Sequence, residues 1–136
     1  MNPYTDRLTK YAPIVVRIGV SLVFLWFGLS QLSNTAMWVQ MIPDWVISLS
    51  GLSATTIVHF NGSFEIVFGL ALLVGLCTRV TAFFLALHML HITLTVGYTA
   101  VGVRDFGLTL AAFSVFFHGL DTGTFDYWMK KKQNIS

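Results

Sequence analysis

Four long apolar runs dominate the chain, at about 14–33, 57–76, 80–97 and 103–120. Each approaches the roughly 20 residues that a helix needs to cross a bilayer. The pattern predicts an all-α membrane protein. We expect an antiparallel four-helix transmembrane bundle, with a short interfacial helical segment after the first span and one domain over 1–136. Pro13 suits the first turn of the opening helix, where its missing N–H is not needed. Thr78 and Arg79 leave room for only a very short turn, which makes the second and third spans a hairpin, and Gly97-Tyr98-Thr99 begins the next loop. The connector 34–56 is too long for a bare loop. It is apolar but broken at Pro43; Asp44 can cap a short helix that Gly51 ends. Trp38 and Trp45 suit the water–lipid boundary. One or two short helices are expected there, as anchors or as a lid over the bundle.

Within the runs, polar and small residues recur every three or four positions. The first carries Arg17, Ser21, Gly28 and Gln31; the second Asn61, Glu65 and Gly69, with Gly62 a heptad before Gly69. The third carries Thr81, His88, His91, Thr95 and Tyr98; the fourth Arg104, Gly107, Ser114, His118 and Asp121. One such stripe per helix is the pattern of spans packed with their polar faces inward. With a rise of about 1.5 Å per residue, the stripes sort into three layers. Gln31, Asn61, Tyr98, Arg104 and Asp105 lie toward one surface. Glu65 and His88 lie near the middle with His91 a turn away, and Arg17, His118 and Asp121 lie toward the other surface. Arg17 stands one turn inside its span, from where its side chain can snorkel to the headgroups.

Composition narrows the class. The chain is 55% hydrophobic and only 10% charged over 136 residues, against about 25% charged in soluble domains. A net charge of +2 without an aromatic-laced basic patch excludes nucleic-acid binding. The single cysteine, Cys77, rules out an internal disulfide or a C-x-x-C mechanism. The first apolar run lacks a small-x-small cleavage pattern and is expected to stay as the first span. Seven of the eight Lys and Arg fall on the side of the termini and the Arg79 turn, leaving only Arg104 opposite. The positive-inside rule then predicts N-in and C-in. Two N-x-S triplets, at Asn61 and Asn134, fall in the membrane and on the inner side, where neither is glycosylated.

Glu65 carries the candidate chemistry. A carboxylate in the middle of a span costs about 2.5–3.5 kcal/mol on insertion scales and normally finds a partner in protein or a wet cavity. Paired with Arg104 it is a clamp or an anion site; paired with His88 it can share and relay a proton. The sequence leaves both open, along with a purely structural role as interhelical glue. No metal site is expected, because the His88/His91 pair has no second Glu-x-x-His to complete a carboxylate-bundle centre.

The GLSQL end of the first span, the stretch NGSFEIVFGLALLVGLCTR with Glu65, Gly69 and Gly75, and the fourth-span opening GVRDFGLTLA together resemble the DoxX family. These are small bacterial and archaeal membrane proteins that include the DoxD-type subunit of thiosulfate:quinone oxidoreductase. The resemblance covers about 14–120 and implies a polar core of Arg17, Glu65, Arg104 and Asp105, extended here by His118 and Asp121. At Gln31 it would put a Lys, so a second cation is missing there. It implies a multi-pass protein of the bacterial or archaeal cytoplasmic membrane, associated with redox chemistry and in contact with quinone. On that reading Glu65, His88 and His91 are the catalytic candidates, and Tyr98, Arg104 and Asn61 line the quinone. The partners are the bilayer, a soluble redox subunit and further copies of the chain. A small-solute or proton transport component and a scaffold subunit remain as alternatives.

Overall fold

The computed structural model describes residues 9–133; Arg7 and Asn134 lie outside them. Its helices are α1 (Ala12–Ser33), α2 (Thr35–Val39), α3 (Asp44–Ser50), α4 (Ala54–Val74), α5 (Thr78–Val96), α6 (Ala100–His118) and α7 (Phe125–Gln133). No strand occurs among the described residues. α1, α4, α5 and α6 are each long and apolar enough to cross a membrane, and only 28–33% of each apolar window is buried inside the bundle. The remaining faces present large apolar side chains such as Leu22, Trp26, Val67, Leu70, Phe83 and Leu110. Such a surface suits lipid rather than water.

The packing follows from small residues. α1 lies most extensively on α4, and α5 on α6, with lighter contacts closing the ring. At the α1–α4 crossing a Cβ placed on Gly28 would stand 2.6 Å from the Gly62 carbonyl oxygen, too close for any side chain. Backbones approach this closely in membranes only where small residues meet. Between the polar layers Val20, Phe24, Leu72, Ala82, Leu85, Ala86, Met89, Ala112 and Val115 form one buried apolar cluster. It closes the waist of the bundle.

Helix ends depart from expectation in instructive ways. α4 stops at Val74, so the hairpin turn is Gly75–Cys77, and Thr78 already opens α5. Gly75 takes φ +78°, the left-handed conformation that ends the helix, and a Cβ there would run into Thr124, so only glycine fits. The exposed N-terminus of α5 is satisfied from far along the chain: the Asp126 carboxylate accepts from the Thr78 N–H at 2.8 Å and from its hydroxyl at 3.1 Å. α6 begins three residues earlier than expected because Thr99 caps it, accepting from the Gly102 N–H. Ser53 does the same for α4. Asp44 does not cap α3; Pro43 holds the cap position and Asp44 lies in the first turn. Gly51 ends α3 in the left-handed conformation as expected.

Candidate functional site

The two ends of the bundle hold two different polar constructions. At the end carrying the termini, Arg17 is 2% exposed. Its Nε donates to Asp121 Oδ2 at 2.8 Å, and the rest of its guanidinium donates to the carbonyls of Leu72, Leu73 and Gly123. The last turn of α4 and the loop before α7 leave these carbonyls with capacity to spare, Leu72 accepting only the cap N–H of Gly75 besides, and the fixed fork of an arginine reaches several at once. Arg17 therefore does not snorkel: it is a buried tie between α1, α4 and the C-terminal loop. His118, grouped with it by depth, is exposed. It lines a separate groove of about 260 Å³ with Thr9, Pro13 and Ser114.

The middle layer is built around Glu65, 1% exposed. Its Oε2 accepts from Gln31 Nε2 at 2.6 Å. Its Oε1 faces His88 Nε2 at 3.5 Å, close enough for an electrostatic contact but without hydrogen-bond geometry. That Nε2 is buried and has no hydrogen-bond partner among the described residues. The His88 ring lies against Phe64, centroids 4.5 Å apart, and Phe64 stacks on Phe68. The histidine is thus held by aromatic packing rather than by polar bonds. Arg104 does not reach Glu65. Its Nε and Nη2 each stand 2.8 Å from Asp105 Oδ1, and its guanidinium lies over the Phe27 ring. Of the two pairings open for Glu65, the geometry offers the histidine one and adds an amide.

Above this layer, at the connector end, is a cavity of about 300 Å³. Its floor carries Gln31, Glu65 and Asp105; Asn61, His91 and Arg104 stand on its walls; and its apolar lining includes Trp26, Phe27, Val58 and Ile92. The connector roofs it with Met37, Trp38, Met41, Ile42, Pro43 and Val46, as the lid reading expects. Trp38 is pinned there by a hydrogen bond from its indole to Ser30 and by edge contact with Phe27. His59, at the same end, meets the Thr35 hydroxyl at 3.1 Å, which ties α4 to α2. The volume and the mix of apolar walls with a few convergent polar groups match small-molecule sites.

Of the residues singled out from the sequence, Glu65, Asn61, His91, Arg104 and Asp105 share this cavity. His88 stands behind Glu65, outside the lining. Tyr98 is 98% exposed, because the Gly97 turn (φ +72°) directs the loop away from the bundle; it does not line the site. Gln31, in the stripe but absent from the candidate site, proves to be the closest partner of Glu65. Among the described residues no group of three His, Cys, Asp or Glu stands close enough to hold a metal ion.

Neither a curated protein nor a solved structure matches the chain. The family model for DoxX matches residues 12–98, which takes in Arg17, Gln31, Glu65 and His88 and stops short of Arg104 and Asp105. Spanning well over half of the sequence, the match shows that this four-helix integral membrane protein belongs to the DoxX family.

Proposed function

We propose that the chain is the membrane-embedded, quinone-contacting subunit of a redox system, and that the cavity under the connector holds the quinone ring. The observation that carries this is the cavity itself: about 300 Å³, apolar and aromatic on its walls and roof, with a carboxylate at its floor inside the bilayer. A hydrophobic ring with two oxygens matches that division of chemistry, and its prenyl tail suits the apolar rim and the lipid beyond.

Quinone chemistry moves two electrons and two protons. The electrons pass to or from a partner redox protein. This chain holds the ring and handles the protons. Glu65 Oε1 exchanges a proton with the ring oxygen, and His88 Nε2, 3.5 Å away, is the group that can share it. Gln31 fixes the carboxylate by its bond to Oε2. His91 and Asn61 orient the ring from the walls. The apolar waist supports a binding site rather than a solute path, because Phe24, Leu72, Leu85 and Ala112 are fully buried across the bundle. By the positive-inside rule the termini face the cytoplasm of a bacterium or archaeon, and the cavity sits in the outer leaflet.

The test uses the full chain in nanodiscs. A short-tailed benzoquinone and its quinol should raise the melting temperature of the wild type. They should raise that of Glu65→Gln and of the cavity-filling Asn61→Phe less. Equal shifts in all three proteins would remove the ring from this site.

A further inference from the structure

The hydrogen bonds left over in the cavity distinguish the two redox forms of such a ligand. Asp105 is 3% exposed and lines the cavity. Both contacts from Arg104 fall on its Oδ1. Its Oδ2 takes no hydrogen bond from any described residue, yet it is not fully enclosed. Beside it, the Asn61 side chain and the His91 ring also face the cavity without a bond to a described residue.

A carboxylate in an ion pair offers acceptors only. A carbonyl oxygen also only accepts, so a fully oxidised ring would set lone pairs against Oδ2 and leave that oxygen desolvated and unpaired. A hydroxyl donates to Oδ2 and still accepts from the Asn61 amide. Sites built to receive a hydroxyl reject analogues that lack it far more strongly than apolar pockets discriminate by size.

We infer that Asp105 is a specificity-determining residue, and that the cavity selects the hydroxylated form of its ligand: an aromatic ring with a hydroxyl that donates to Asp105 Oδ2. This rests on the quinone-site reading and goes beyond it by choosing between the reduced and oxidised forms. The mate of Asp105, Arg104, is about half exposed at its side chain, so the pair belongs to the cavity wall rather than to the sealed core.

The experiment compares three probes on the full chain in nanodiscs under anaerobic conditions: a short-tailed benzoquinol, the matching benzoquinone, and the quinol with both hydroxyls methylated. Retention is measured against empty nanodiscs, which removes simple partition into lipid. The quinol should bind about tenfold tighter than the quinone, and the dimethyl ether no tighter than the quinone. In Asp105→Asn the new amide donates as well as accepts, so the preference should shrink to within about threefold. Quinone and quinol binding equally to the wild type, or quinone binding tighter, overturns the inference while leaving the quinone site standing. No retention of any of the three overturns both. The wild-type comparison decides the matter even if Asp105→Asn fails to fold. Should that variant fold and keep the full tenfold preference, selection does not reside at Asp105.

Discussion

Each end of the bundle has its own Arg–Asp pair, and the two are built to opposite ends. Arg17 and Asp121 are both buried, and the arginine spends its donors on one carboxylate and three carbonyls from two distant segments. Arg104 and Asp105 are sequence neighbours, the arginine is half exposed, and one carboxylate oxygen is left over. In the first pair both carboxylate oxygens and the guanidinium are committed within the protein, even though Asp121 borders the His118 groove. The second holds little of the fold together and keeps hydrogen-bonding capacity facing a cavity. Saturation marks a structural pair; a remainder marks a site.

The contrast can be broken by mutation, and the largest effect belongs to the saturated end. Arg17→Ala leaves Asp121 buried without its cation and takes the arginine donor from the Leu72, Leu73 and Gly123 carbonyls. We expect it to cost about 3–5 kcal/mol, read as a collapse of thermal stability or of folded yield in nanodiscs. Next comes the middle layer. Gln31→Leu removes the one strong donor to Glu65 and should cost about 1–3 kcal/mol, seen as a lower melting temperature; His88 cannot replace it without moving. The smallest effect on stability belongs to Arg104→Ala, about 1–2 kcal/mol, because it takes the partner from a buried carboxylate but removes a half-exposed side chain that binds no backbone carbonyl. The same variant should still weaken quinol retention measurably, since it leaves Asp105 without its orienting partner. A ranking in which Arg104→Ala destabilises as much as Arg17→Ala would erase the distinction between the two ends.

Much of this architecture could be read before any coordinates. The four spans follow from length and hydropathy, and the polar stripes gave the buried faces of α1 and α4; in α5 and α6 they did not, because small and apolar residues such as Ala82, Leu85, Ala86, Gly102 and Ala112 turn inward while His91, Arg104, Gly107, Ser114 and His118 stay exposed. What escaped was whatever depends on residues far apart in the chain. Arg17 looked free to snorkel because Asp121 is 104 residues away and the carbonyls it binds belong to another helix's end. The turn at Gly75–Cys77 lay earlier than the Thr78-Arg79 pair suggested, because Gly75 takes the left-handed conformation that ends α4 and packs directly on Thr124. Tyr98 sat in the stripe by periodicity, but periodicity ends where Gly97 reverses the backbone. Gln31 was in view all along; only the crossing of α1 over α4 at Gly28 and Gly62 brings it to Glu65 rather than one layer above it.

The closed waist has an electrical corollary. Phe24, Leu72, Leu85 and their neighbours form the apolar waist, and the buried Ser21, Thr81 and Thr109 hydroxyls each donate to a backbone carbonyl of the bundle rather than to one another, so among the described residues no hydrogen-bonded chain joins the two polar ends. On the proposed reading, a proton taken up at Glu65 leaves toward the face it came from. On the same reading, exchange at that carboxylate crosses only part of the membrane field and moves no net charge from one face to the other, so the bundle insulates the gradient instead of spending it.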